Sequence, residues 1–136
     1  MTQSSTDSIS SMFDDVAQFH RLITREDMPD SPTMVTPEFI MIRYRFLVEE
    51  TDEFMDACVK GDIVKAADAL ADICYVAIGT AYLMGLPFDR IWREVQIANM
   101  KKVGGATARN PHDAIKPPGW TAPDVQIAKI LKDLIK

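Results

Sequence analysis

Three glutamates, Glu49, Glu50 and Glu53, and two aspartates, Asp68 and Asp72, stand among apolar, helix-forming residues. On a helical wheel at about 100° per residue, Glu50 and Glu53 share a sector with Phe39, Ile42, Phe46, Leu47, Phe54 and Ala57. Glu49 lies at the edge of that sector, while Glu38, Arg45, Asp52 and Asp56 point away and read as a solvated face. Ionised carboxylates on an inward stripe are costly unless they are paired or bound to metal. Arg43, in the same sector, is one such partner, and an exposed helix end is another escape. The second pair sharpens the question, because Asp72 interrupts the otherwise apolar residues 69–84 and is expected to be buried, with Asp68 one turn before it. Facing helices would gather these carboxylates into an all-oxygen cluster, which suits Mg²⁺, with Mn²⁺ as substitute, and not zinc. A di-iron bundle would need ExxH motifs, and His20 and His112 both lie outside these helices.

Further along, Asn99 and Lys102 share an inner face with Phe88, Ile91, Val95 and Ala98. Lys102 either snorkels to water or meets a phosphate oxygen. The segment KPPGWTAPD, residues 116–124, sets Lys116 and Trp120 on a proline-stiffened loop, which is either a rigid linker with Trp120 packed down or a substrate contact. No G-x-x-x-x-G-K-[ST], G-x-G-x-x-G or G-x-S-x-G motif occurs, so P-loop, dinucleotide-binding and hydrolase-elbow chemistry have no support.

These groups have to be positioned by helices. Met12, Val16, Phe19 and Ile23 predict an amphipathic helix over 11–23. Thr36 followed by Pro37 predicts a capped start for a helix over 37–59. Gly61 and Asp62 make a turn into a helix that stops at Gly85 and is apolar nearly all round, hence central. A fourth helix is expected over 88–103 and a short fifth from 123 onward. No segment alternates with period two, so the expected class is all-α, a bundle of about five helices completed by oligomerisation.

The chain has 136 residues, 47% apolar and 26% charged, which suits one domain over 1–136 with residues 1–10 as a frayed leader. A net charge of −5 and a pI near 4.9 argue against nucleic-acid binding through bulk field, yet leave room for small polyphosphates held through a divalent cation. The apolar stretch 69–84 falls short of the roughly 20 residues needed to span a bilayer, and the first residues lack signal-peptide character, so a cytoplasmic protein without membrane partners is expected. Cys58 and Cys74 form no ligand motif and are expected to be reduced core thiols.

Taken together, EExxE at 49–53, KGD at 60–62, ALADICYV at 69–76, EVQIANMKK at 94–102 and KPPGWTAPD at 116–124 resemble the all-α nucleoside triphosphate pyrophosphohydrolases, the MazG-like and phosphoribosyl-ATP pyrophosphohydrolase group. The resemblance spans residues 39–124. It implies homodimers or homotetramers and Mg²⁺-dependent hydrolysis of (deoxy)nucleoside triphosphates to monophosphate and pyrophosphate, as nucleotide-pool house-cleaning or phage-type metabolism. By position it makes Glu50, Glu53 and Asp72 metal ligands, Glu49 a ligand or water-orienting carboxylate, and Asn99 and Lys102 substrate contacts; Glu49 and Glu50 are the candidate catalytic pair. Ala69 departs from the pattern by occupying the place of a glutamate, and Asp68 is its candidate substitute as a metal ligand. A phosphoribosyl-ATP pyrophosphohydrolase of histidine biosynthesis and a catalytically idle oligomerisation module, with Ala69 as a mark of decay, are the alternatives. His20, Met34, Tyr75 and Trp120 are candidates for base recognition.

Overall fold

The computed structural model describes residues 5–135, with side chains from residue 12 onward. It holds five α-helices: α1 (Ser5–Phe19), α2 (Pro37–Val59), α3 (Ile63–Leu83), α4 (Phe88–Met100) and α5 (Asp124–Leu134). A π-helical turn, His20–Thr24, follows α1, and two short strands, β1 (Val103–Gly105) and β2 (Asp113–Ile115), lie between α4 and α5. The all-α class therefore holds, with two corrections. The first helix starts at Ser5, inside the stretch read as a leader, and the fourth ends at Met100, short of the expected 103, after which Val103–Gly105 pair antiparallel with β2, Val103 opposite Ile115. Met1–Ser4 lie outside the described residues.

The chain divides into two compact units, Met1–Phe88 and Asp89–Lys136. In the first, α2 begins where a threonine cap and proline dictate: the Thr36 hydroxyl accepts from the Phe39 amide at 3.3 Å, with Pro37 at the first helical position. Its far end closes through Lys60 and Gly61, and the Asp62 carboxylate accepts from the Lys65 amide at 3.0 Å to start α3. With only three residues between them, the two helices form a hairpin. Arg43 near the start of α2 donates to Thr80 near the end of α3, which makes the hairpin antiparallel.

The buried hydrophobic residues of this unit are Val16, Ala17, Ala57, Ala69, Ile78, Ala81, Tyr82 and Leu83, half of them at the end of α3. Ala17, Tyr82 and Leu83 form its packed centre, with Phe13, Met28 and Phe39 against it. Gly85 ends α3 in the left-handed region, φ 67°, and a Cβ there would come within 2.7 Å of the Ser31 carbonyl oxygen, so only glycine lets the 25–36 loop lie this close. The expectation that α3 is central holds for its last turns, Ile78–Leu83, and for Ala69: Ile63, Val64, Leu70 and Tyr75 are exposed. On α2, Ile42 and Phe46, both assigned inward, are 43% and 41% exposed. Cys58 and Cys74 are free and exposed, not core thiols.

In the second unit Ala98 is the one described residue that is fully buried. The loop before β2 is fastened by Asp113, whose carboxylate accepts from Arg109 at 2.8 and 2.9 Å, from the Thr107 hydroxyl at 2.6 Å and from the Ala114 amide at 2.8 Å. Among the described residues, no single helix is long and apolar enough to cross a membrane.

Candidate active site

The antiparallel register that sets Arg43 beside Thr80 carries Glu50 towards Asp72 and Glu53 towards Asp68. Glu50 is half-buried, and its Oε2 is shut off from solvent with no hydrogen-bond partner. Its carboxyl is held above the usual carboxylate range, first by burial and then by the neighbouring carboxylates of Glu53, Asp72 and Asp68. An orphaned buried acceptor costs about 1–3 kcal/mol. This centre therefore carries an unmet demand for a cation or a proton.

Arg43 does not meet that demand. Its guanidinium donates to the Thr80 hydroxyl and the Val76 carbonyl, each at 3.0 Å, and lies over the Phe46 ring. The remaining acidic residues are more open than the wheel suggested. Asp72 is half-buried, and Glu49, Glu53 and Asp68 are exposed. Among the described residues, no three of His, Cys, Asp and Glu converge closely enough, as the side chains stand, to enclose an ion. In charge, donor type and the orphaned Oε2, the set fits a hard divalent cation. Ala69 is 2% exposed at the hairpin interface, whereas Asp68 faces outward onto a cavity.

That cavity, about 390 Å³, occupies the closed end of the hairpin and is lined by Glu53, Asp56, Ala57, Lys60, Asp62, Lys65 and Asp68. Two lysines thus stand beside the acidic set, a feature that sequence reasoning missed. Lys60 pairs with Asp56 at 2.9 Å, and both are exposed, so the pair adds little to stability. The KGD turn itself was the available signal, since a tight turn brings the flanking side chains of both helices to one end.

In the second unit the Trp120 indole N–H donates to the Ala98 carbonyl at 2.8 Å, which ties the loop to α4. The ammonium groups of Lys102 and Lys116 each lie 5.1 Å from the Trp120 ring centroid. Such contacts contribute about 0.5–1 kcal/mol each at exposed sites. Lys102, Lys116 and Trp120 are therefore brought together, while Asn99 is exposed and contributes its carbonyl to the Lys102 amide at 3.1 Å. Charge is sorted in the same sense. Met1–Phe88 carries six Lys and Arg against fifteen Asp and Glu, net −9, and Asp89–Lys136 carries nine against five, net +4.

The base-recognition candidates separate. His20 is 3% exposed, stacked on Tyr82 with centroids 5.3 Å apart, its Nδ1 3.0 Å from the Thr24 hydroxyl. Its pKa is lowered, by burial first and then by Arg43, against the opposing influence of Glu26. This histidine is a packing element of the α1, α2 and α3 junction. Tyr75 packs edge-on against Phe19, and Met34 lines an apolar cavity of about 480 Å³ with Phe39 and Leu83.

A family model described as phosphoribosyl-ATP pyrophosphohydrolase matches residues 16–99, more than half of the chain. The matched stretch contains all five carboxylates and Asn99, and ends before Lys102, Lys116 and Trp120. No curated protein matches the sequence.

Proposed function

The chain belongs to the phosphoribosyl-ATP pyrophosphohydrolase family, part of the MazG-like nucleotide pyrophosphohydrolase superfamily, and from that premise we propose that it hydrolyses (deoxy)nucleoside triphosphates to monophosphate and pyrophosphate in nucleotide-pool metabolism. The observation that carries this reading is the orphaned Glu50 Oε2, raised in pKa among Glu53, Asp72 and Asp68. Glu50, Glu53 and Asp72 would hold Mg²⁺, with Mn²⁺ as substitute, and Asp68 would stand in for the missing glutamate at Ala69. A bound divalent cation supplies charge neutralisation at the phosphates and polarises the attacked phosphorus. Glu49 orients the attacking water, and Asn99, Lys102, Lys116 and Trp120 contact the substrate.

The exposed apolar residues of the hairpin, among them Ile42, Phe46, Ile63, Val64 and Leu70, form the surface on which a second copy would complete the bundle as a homodimer or homotetramer. Light scattering at micromolar concentration checks this, and a monomer would contradict it.

The test of function is release of monophosphate and pyrophosphate from each common ribo- and deoxyribonucleoside triphosphate and from phosphoribosyl-ATP, with Mg²⁺ and with chelator. Phosphoribosyl-ATP belongs in the panel because the matched family carries its name. Hydrolysis of a nucleoside triphosphate that stops in chelator supports the proposal. Turnover of phosphoribosyl-ATP alone would shift the function to histidine biosynthesis, and no turnover of any substrate would leave an idle helical module.

A further inference from the structure

We propose that His20 is a pH-sensitive latch: as a neutral ring it fastens the π-helical turn and the 25–36 segment onto α3, and on gaining a proton at Nε2 it is driven away from Arg43 and lets that segment open. The geometry lies wholly within Met1–Phe88 and does not depend on the nucleotide reading above.

The hydrogen-bond network assigns the proton of the neutral ring. Thr24 has one hydroxyl proton and donates it to the His20 carbonyl at 3.1 Å, so its oxygen accepts from His20 Nδ1 at 3.0 Å and the bare nitrogen is Nε2. Nε2 lies over Gly79, where a Cβ would come within 2.7 Å of it and 2.9 Å of an Arg43 terminal nitrogen. The lack of a side chain at residue 79 is what lets the two nitrogens share this space. A proton on Nε2 therefore arrives beside a guanidinium already bonded to Thr80 and Val76, at a ring that is 3% exposed. The groups facing the ring are Glu26 from the following segment, Arg43 from α2 and Tyr82 from α3. Among the described residues Glu26 is the one carboxylate within ion-pair distance, and it stands on the Nδ1 side, 3.5 Å away. Burial and Arg43 outweigh it, and the histidine's pKa is lowered.

What the ring holds is strained and lightly fastened. Arg25 closes the π-helical turn at φ 59°, in the left-handed region without being glycine, a conformation that persists only while its surroundings enforce it. His20 enforces it through its stack on Tyr82, and its carbonyl accepts from the Glu26 amide at 2.9 Å. Beyond this point the segment is tied to the end of α3 by the Tyr82 hydroxyl, which donates to the Glu26 carbonyl, and by the Thr33 amide, which donates to the Met84 carbonyl, each at 2.9 Å. Asp27, Pro29 and Met34 of the segment line the apolar cavity of about 480 Å³ together with Phe39 and Leu83, so opening exposes Phe39 and Leu83 to water.

The experiment takes the full-length protein from about pH 8 to about pH 5. Nitrogen NMR of the histidine rings, with His112→Gln to assign His20, should show the Nδ1–H tautomer at the upper end. Hydrogen exchange reads the segment through the Glu26 and Thr33 amides. Because opening takes up one proton, their protection should fall about tenfold per pH unit between the ordinary histidine value of 6.5 and the lower folded one, while amides in the middle of α3 stay protected. A dye that fluoresces on apolar surfaces should bind over the same range. His20→Gln should abolish the pH dependence. Arg43→Gln should raise the midpoint of the His20 titration, and Glu26→Gln should lower it. The latch is overturned by protection of Glu26 and Thr33 that does not change with pH, by loss of these amides together with those of α3, by the same slope in His20→Gln, or by a midpoint that neither charge variant moves. Should His20→Gln or Arg43→Gln fail to fold, the wild-type exchange profile and Glu26→Gln, at a side chain that is 34% exposed, decide.

Discussion

The two units treat charge in opposite ways. In Met1–Phe88 like-charged carboxylates are collected around Glu50 with one oxygen left unpartnered, and in Asp89–Lys136 like-charged ammonium groups are collected around Trp120. Both units also contain ordinary ion pairs, Lys60 with Asp56 and Arg109 with Asp113, so opposite charges do meet where only structure is at stake. Repulsion kept in a fold is a cost with a purpose. Each unit by itself therefore concentrates one sign of charge, negative around Glu50 in the first and positive around Trp120 in the second.

The largest expected effect separates the units by kinetic signature. Glu50→Gln and Asp72→Ala should lower kcat by roughly 100-fold or more and raise the Mg²⁺ concentration needed for half-maximal turnover, because each removes a charged ligand. Mg²⁺ titration of turnover reads this, and full activity in both variants would break the comparison by removing the proposed cation from the first unit.

Next comes the departure at residue 69. Because Ala69 is 2% exposed between α2 and α3, Ala69→Glu inserts a further carboxylate into an interface that already repels. Thermal melts should show destabilisation in chelator, on the order of 1–3 kcal/mol, with partial recovery on adding Mg²⁺. Asp68→Ala should lower turnover by about tenfold if Asp68 serves the ion, a smaller loss than at Asp72 since it lies on the cavity wall. Wild-type behaviour of Asp68→Ala would identify it as a solvated residue.

Packing of the first unit alone is probed by Gly79→Ala. A Cβ at this position would lie 2.7 Å from His20 Nε2 and 2.9 Å from an Arg43 terminal nitrogen, so both side chains must shift. Overpacking of this kind costs about 1–3 kcal/mol, measurable by denaturant unfolding.

The smallest effect is in pH. A lowered folded pKa means that His20 contributes stability that is present above its ordinary value of 6.5 and is lost as pH falls through the folded value. Asp113, held far below the usual carboxylate range first by Arg109 and then by Thr107 and the Ala114 amide, contributes stability lost only in much stronger acid. Glu50, raised in pKa, works in reverse and relaxes as it protonates. All three tyrosines lie in the first unit and both tryptophans in the second. Tyrosine and tryptophan signals followed from pH 7 downward should therefore show the first unit loosening earlier, and His20→Gln should remove that early phase.

What the sequence determined by itself is what short-range physics controls. Thr36 before Pro37 and the Lys60, Gly61, Asp62 turn place the ends of α2 and the start of α3, because caps and left-handed residues act within a few positions. Helical periodicity put Glu50 in the inward sector of α2, and the apolar surroundings of Asp72 pointed to its burial on α3. Only the tertiary structure decided how those residues are used. Arg43 shared the inward sector with Glu50, yet the register offered it Thr80 and Val76 instead. A difference of 100° around α3 buried Ala69 and left Asp68 outside, and the wheel could not rank the two without knowing where α2 lies. Strands of three residues leave no alternation to detect, so the sequence reads Val103 as the end of the fourth helix and misses the pairing of Val103–Gly105 with Asp113–Ile115. The meeting of Lys102 and Lys116 on Trp120 depends on a hydrogen bond to a backbone carbonyl 22 residues away, and such a partner is chosen by the packed fold, not by spacing along the chain.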